Sequence, residues 1–344
     1  MHYLAEKIIH RYQRQKNGEG RVIKKKRIII VFLYLGGFIT LFMLAIFTFK
    51  VVLVHPKVPI YSEPNDTDIY RIVFISGDSG SPFWNKVKEG AQKVANKNKV
   101  AIEFKETFQA DIFGYLKNID MAISSRVDGI IVQGKEHPEF IQIVNKALQK
   151  GIPVITVFTD APDSLRKTYV GPNHYQEGII LGEHIATQMG DGGKIGIVYG
   201  DTQIGYLSLR KQGVENALAS NSNIQILDVS NHTAGSQNGL EETTELLNNY
   251  PECRVFLGLT EEATSGIVQA VKGRGRLQDY LIYTFDQNPE ISELINTGVV
   301  SAALMQNPEE IGAQSTTHML RWLEGIEVPL EPNYYTSVHL LEKR

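Results

Sequence analysis

The sequence predicts an α/β protein: two doubly wound parallel-sheet lobes preceded by one N-terminal transmembrane helix. Three observations carry the prediction. Apolar runs of strand length alternate with amphipathic helical stretches from residue 69 onwards. The strands are apolar on both faces, as strands of a parallel sheet covered on two sides are. Residues 28–49 form an uncharged apolar run of 22 residues. Residues 69–344 number 276, too many for one comfortable sheet of this kind, hence two lobes.

Residues 1–27 carry nine basic side chains (Lys7, Arg11, Arg14, Lys16, Arg21, Lys24, Lys25, Lys26 and Arg27) against Glu6 and Glu19, a net of +7. The apolar run IIIVFLYLGGFITLFMLAIFTF follows directly. At about 1.5 Å per residue it makes a helix about 33 Å long, enough for a hydrocarbon core of about 30 Å. A cleavable signal has a shorter apolar stretch and a small-x-small site, which Lys50-Val-Val-Leu-Val-His-Pro lacks. The run therefore reads as an uncleaved anchor. The positive-inside rule puts the tail in the cytoplasm and everything after residue 50 outside. Residues 50–68, rich in proline and polar side chains, read as a linker.

Thereafter the pattern predicts strand 69–76, helix 83–97, strand 100–104, helix 112–125, strand 128–133, helix 140–150 and strand 152–158. It continues with helix 176–189, strand 194–200, helix 208–220, strand 224–229, helix 239–250 and strand 254–259. Helix 262–272, strand 281–285, helix 290–296, strand 299–305, helix 309–324 and a strand near 335–341 close the chain.

Composition narrows the chemistry. Of the net charge of −3, residues 51–344 carry −11, whereas a nucleic-acid surface needs clustered Lys and Arg. The 27-residue tail is too short for a helix-turn-helix domain. Cys253, the one cysteine, excludes an intrachain disulfide framework and a cysteine zinc cage and reads as a buried core thiol. There is no phosphate loop, no zinc-protease helix and no nucleophile elbow, so no catalytic residue, metal site or cofactor is predicted. Asp160 and Asp286 could in principle act as a glycosidase pair, but a sugar-binding cleft uses such carboxylates as acceptors. In open parallel sheets ligands bind beyond the carboxyl ends of strands. Those ends bring Phe83-Trp84, Asp160, Thr260-Glu261, Asp286 and Gln306, a mixture of aromatic, carboxylate and amide groups suited to a sugar's C–H face and hydroxyls.

Eight segments stand in the order of a known family: SPFWNKVKEGAQKVA (81–95), VDGIIVQ (127–133), KALQKGIPVITV (146–157), YVGPNHYQEGIILGEHIA (169–186), RKQGVENAL (210–218), VFLGLTEEATSGIVQAV (255–271), YTFDQNPEISELINTG (283–298) and ALMQNPEEIG (303–312). On these, residues 69–344 resemble the ribose-type periplasmic sugar-binding proteins of the type I fold. The resemblance implies that Phe83 and Trp84 sandwich the sugar ring, that Arg210 binds its oxygens, that Asp286 accepts from its hydroxyls and that Gln306 is a late polar ligand beside a hinge. Thr260 or Glu261 falls where the family has asparagine. Where the family has Asp-Arg after the fourth strand this chain has Phe158-Thr159, leaving Asp160 as the nearest carboxylate. The resemblance also implies a hinge with crossings near Gly171-Pro172, Gln306-Asn307 and Tyr334-Tyr335. One lobe is then 69–171 with 307–334, the other 172–306 with 335–344.

The implied function is monosaccharide binding without catalysis. The anchor favours a receptor that reports to a membrane partner, which the resemblance identifies as a sensor histidine kinase. The alternative is the solute-binding component of a sugar ABC transporter, whose partner is a permease; such components are released or lipid-tethered, and this chain shows neither device.

Overall fold

The computed structural model describes residues 70–77, 80–107, 111–199, 205–229, 239–275, 277–285 and 289–343, with Gly37 and Met43, both helical. The rest of the predicted tail, anchor and linker lies outside the described residues. Among the described residues no helix is long and apolar enough to cross a membrane. The chain divides into two units, 1–63 and 64–344.

The second unit contains two six-stranded sheets. The first holds β1 (Arg71–Ser76), β2 (Ala101–Glu106), β3 (Gly129–Gln133), β4 (Val154–Val157), β5 (Thr168–Gly171) and β11 (Asn333–Tyr335). Their order is β11-β5-β4-β3-β1-β2, parallel throughout. The second holds β6 (Gly193–Val198), β7 (Ile224–Val229), β8 (Val255–Gly258), β9 (Leu281–Thr284), β10 (Ala302–Gln306) and β12 (Val338–Glu342). Their order is β12-β10-β9-β8-β6-β7, parallel except for β12, which runs antiparallel to β10. The chain passes between the sheets after β5, after β10 and after β11. The sequence pattern predicts no strand between 159 and 175 and a single strand at the end. β5 (TYVG) offers only two apolar residues between a threonine and a glycine, whereas β4, of the same length, is apolar at three of its four positions. The terminal run is two strands because Thr336-Ser337 carries the chain from one sheet to the other.

Successive side chains of a strand point to opposite faces, and both faces are packed. In the first sheet Ile72, Phe74, Ile131 and Ile155 lie in a core with α1 (Pro82–Asn98) and α9 (Pro308–Leu323). Their neighbours Val73, Ile75, Ile130, Val132 and Val154 lie in another with α2 (Ile112–Ser124) and α3 (Pro138–Gln149). In the second sheet Ile195, Ile197, Leu257, Tyr283 and Leu304 meet α4 (His174–Met189) and α5 (Gly205–Leu218). Val198, Phe256, Ile282 and Ala303 meet α6 (Gly239–Asn249), α7 (Glu261–Gly273) and α8 (Pro289–Thr297). Cys253 sits in that last core, and burial pushes its thiol up to about 11.

Two helix pairs touch backbone to backbone. A methyl group on Gly90 of α1 would collide with the Glu309 carbonyl of α9, and one on Gly312 of α9 with the Val87 carbonyl of α1. Likewise Gly178 of α4 abuts the Arg210 carbonyl of α5, and Gly213 of α5 abuts the Tyr175 carbonyl. The crossings double as helix starts: Asn173 accepts from Gln176 N–H to cap α4, and Asn307 accepts from Glu310 N–H to cap α9 before Pro308. The crossings are also tied together. Thr336 N–H donates to the Gly171 carbonyl at 2.9 Å, and Ser337 N–H donates to Glu310 Oε2 at 3.0 Å.

Candidate functional site

The glycine contact between α4 and α5 has a direct chemical consequence. On α4 the buried stripe includes His174, Glu177, Gly178, Leu181 and Ile185; on α5 it includes Leu207, Arg210, Gly213 and Val214. Each apolar stripe thus carries a charge, and the close approach sets the two together. Arg210, 0% exposed, donates from Nε to Glu177 Oε2 at 3.0 Å, and Glu177 is 1% exposed. Such a pair is tolerated inside a protein only when its remaining polar atoms are met. They are: Glu177 Oε2 also lies 2.8 Å from His174 Nδ1, and Glu177 Oε1 accepts from Gln306 Nε2 at 2.8 Å. Arg210 further donates to the Leu259 carbonyl at 3.3 Å and stacks on Phe285 at 4.7 Å and Tyr206 at 5.3 Å. Burial works against the Glu177 charge, but Arg210, His174 and Gln306 outweigh it and hold the carboxyl down at about 2.

Aromatic rings face this cluster from the first lobe. Phe83 and Trp84, in the first turn of α1, meet edge to face at 5.5 Å. Pro82 opens that helix with its φ already set, and the Trp84 ring packs back against Phe74 of β1 at 6.4 Å, buried in the first-lobe core. Between them and the second lobe stands Phe158, immediately after β4. Its ring lies 5.0 Å from Phe83, 6.0 Å from Trp84, 5.6 Å from His174 and 5.6 Å from Tyr206. Phe158 has φ +63°, a left-handed conformation that costs an L-residue roughly 1–2 kcal/mol. Its backbone is held on both sides: the N–H donates to the Val170 carbonyl at 3.1 Å, and the carbonyl lies 2.7 Å from His174 Nε2 and 2.8 Å from the Tyr169 hydroxyl.

The described residues among those named from the sequence fall into three groups. Phe83, Trp84, Arg210 and Gln306 come together around Phe158 and Glu177. Thr260 and Glu261 sit at the start of α7, where the Thr260 hydroxyl accepts from Ala263 N–H and caps the helix. Asp160 is engaged elsewhere. Its two oxygens take a bidentate pair from Arg166 at 2.5 Å each, and Oδ1 also accepts from Thr156 and from Ala161 N–H. Arg166 in turn donates to the Pro332 carbonyl. A carboxylate so occupied ties the β4–β5 loop to the approach to β11 and stands apart from the Phe158–Glu177 group. Asp286 lies outside the described residues. Glu177, His174, Phe158 and Tyr206 are the additions. Glu177 leaves a signal in the sequence: a carboxylate on the apolar stripe of a helix. Phe158 leaves one too, standing where the resemblance puts Asp-Arg after the fourth strand, but its backbone angle is not written in residue type.

The same fold recurs in known proteins. A family model described as the periplasmic binding protein domain matches residues 72–327. The chain belongs to that family, in its ribose-type, type I branch. The ribose import binding protein of Escherichia coli is 23% identical over 276 residues, spanning 79% of this chain and 90% of that protein. The crystal structure of a glucose-galactose binding protein from Geobacillus stearothermophilus superposes with a TM-score of 0.73 at 28% identity, covering 79% of this chain and 97% of that one. XylFII, solved in a XylFII–LytSN complex, gives a TM-score of 0.70 at 28% identity, covering 80% and 98%. These periplasmic-binding-protein relatives are binders, not enzymes, and the present chain is a binding protein likewise.

Proposed function

We propose that this protein is an extracytoplasmic, membrane-anchored receptor that closes on a monosaccharide and passes closure on to a membrane partner, a sensor histidine kinase. One observation carries the sugar reading: apolar rings on the first lobe stand against a buried cluster of polar and charged groups on the second. A sugar has the matching halves, a C–H face and a set of hydroxyls. The names of relatives, which bind ribose or glucose and galactose, support the same class. A ligand lying between lobes contacts both only when they close, so it binds the closed form better and shifts the population towards it.

The uncharged run at 28–49 behind a +7 tail supports the anchor, and the XylFII–LytSN complex supports a second protein as the recipient of the signal. Transport is the second reading, favoured by the ribose import protein among the relatives. The deciding experiment measures the affinity of the full chain for a neighbouring kinase's extracellular region, with and without sugar. The receptor reading expects a coupling of about 1–3 kcal/mol. An unchanged affinity, together with loss of sugar uptake in cells lacking this protein, selects transport instead. Protease added to intact spheroplasts should remove the binding domain; a protected domain, or a mature chain starting after residue 50, defeats the anchor.

A further inference from the structure

The strands of the first sheet are all parallel, so their starts gather at one end of the first lobe, and the helices covering the sheet run back and finish there. Arg71 opens β1, and Asp128 N–H donates to its carbonyl at 2.8 Å. Ala101 N–H, at the start of β2, donates to the Tyr70 carbonyl at 3.0 Å. The Tyr70 hydroxyl donates to the Leu323 carbonyl, at the end of α9, at 3.4 Å. The turns on this face expose Lys97, Lys99, Arg126 and Lys150 beside Arg71. Lys99 and Arg126 hold left-handed helix-ending positions, with φ +53° and +50°, that glycine usually fills. Asp128, Glu324 and Glu331 are the exposed acids among the same turns.

A helix dipole favours a basic side chain at any helix end, and it acts on both lobes alike. Yet among the described residues of the second lobe, α4, α5, α6 and α8 have no basic residue in the last turn, and only α7 ends on basic residues, Lys272 and Arg274. In the first lobe α1, α3 and α9 each have one, and Arg126 follows α2. The same face carries a loop turned inside out. After α9, the Glu327 carboxylate points inward, where Arg321 Nε donates at 2.8 Å and the Tyr334 hydroxyl donates as well. Its neighbours Ile326 and Val328 are 64% and 57% exposed. Trp322, one turn earlier, carries Lys167 Nζ 4.4 Å over its ring.

Exposed basic side chains around an apolar pair and a tryptophan are the chemistry of a surface that rests on anionic lipid. The position agrees. The 21 residues from 50 to 70 span about 25 Å as a coil, and they enter the domain on this face. Resting on the anchor reading, we propose that the strand-start end of the first lobe is a docking surface for an anionic phospholipid bilayer. The basic turns meet headgroups, and Ile326 and Val328 reach the acyl boundary. The candidate site, at the opposite ends of the strands, then faces away from the bilayer.

The two tryptophans make the test direct, since Trp84 lies in the first-lobe core and Trp322 on the face. The full chain is reconstituted in vesicles of phosphatidylglycerol and phosphatidylcholine, with or without bromine high on the acyl chains, and floated after a carbonate wash. Brominated lipid should quench the emission, and Trp322→Phe should abolish the quenching. Neutral vesicles or molar salt should relieve it. Lys97→Gln/Lys99→Gln/Lys150→Gln should cut the ratio of docked to undocked protein about fivefold for each lysine removed. Ile326→Ser/Val328→Ser should relieve the quenching while the circular dichroism stays that of the wild type. Floated protein with unquenched Trp322, or quenching indifferent to salt and lipid charge, would overturn the proposal and leave the anchor intact. So would Trp322 emission that changes only when a kinase's extracellular region is added, which would give the face to a protein. A chain that fails to float removes the anchor reading, and the proposal with it.

Discussion

The helix pair α1/α9 in the first lobe and the pair α4/α5 in the second are joined by the same device, glycines that let two backbones touch. What lies beside the contact differs. Around α1 and α9 the neighbours are Trp84, Val87, Ala91, Ile311 and Met319, and the pair is held by apolar burial. Around α4 and α5 the same closeness encloses Arg210 and Glu177. The first pair gains from every atom removed from water. The second depends on a few polar contacts all being made at once, because one lost partner strands a buried charge. One packing rule therefore yields a sturdy lobe and a conditional one, and the conditional lobe is where the polar half of the candidate site lies.

The sharpest way to break the comparison is Glu177→Ala. It leaves the Arg210 guanidinium buried without its carboxylate and should cost roughly 3–5 kcal/mol in urea unfolding. The double variant Glu177→Ala/Arg210→Met should recover much of that loss. A single-variant cost below about 1 kcal/mol would mean that the cluster is not load-sharing as described. Acid probes the same pair in the intact protein. Glu177 titrates lower when folded than its usual 4.5, so its contribution is complete above about pH 4.5 and vanishes as pH falls towards about 2, on the order of 3 kcal/mol in all. Urea midpoints recorded from pH 6 to pH 2 should fall more steeply in the wild type than in Glu177→Gln.

The glycine contacts should behave alike in the two lobes. Gly312→Ala and Gly213→Ala each force apart backbones that already touch, at a cost of roughly 1–3 kcal/mol by thermal or urea unfolding. A large effect in one lobe and none in the other would end the parallel. The smallest effect is expected at Asp160→Asn, which weakens a partly buried bidentate pair and should lower stability by about 1 kcal/mol. Sugar affinity by calorimetry should stay within twofold; a tenfold loss would restore Asp160 as a ligand contact.

Much of this was legible in the residues. Alternation of strand and helix, doubly apolar strands and the length together led to two parallel-sheet lobes, and Pro82, Asn173 and Asn307 mark helix starts by their own chemistry. The unread parts have physical causes. β5 has only two apolar residues between Thr168 and Gly171, too few to set up a periodic pattern. β11 and β12 look like one strand because only their partners, distant in sequence, tell them apart. Asp160 and Arg210 both stood at strand ends or on an expected motif. Residue type could not say that one carboxylate would be consumed by Arg166, six residues on, or that the guanidinium would be fully enclosed with Glu177 as partner. Arg210→Ala consequently tests folding as much as binding, and its effect on affinity is interpretable only beside the Glu177 double variant.

The final passage of the chain has a consequence for how the protein is made. α9 and β11 belong to the first lobe and β12 to the second, yet all three lie within residues 308–342. A ribosome therefore delivers residues 71–171 long before the helix and edge strand that finish their sheet, and the second sheet also waits for its antiparallel edge. The first half emerges with an uncovered apolar face and the second with an unpaired edge, and β11 must reach back to β5 across more than a hundred and sixty residues. Such long-range closure is slow and aggregation-prone. Both halves should stay open to proteases and holdase chaperones until synthesis is nearly over, and then complete together rather than one after the other.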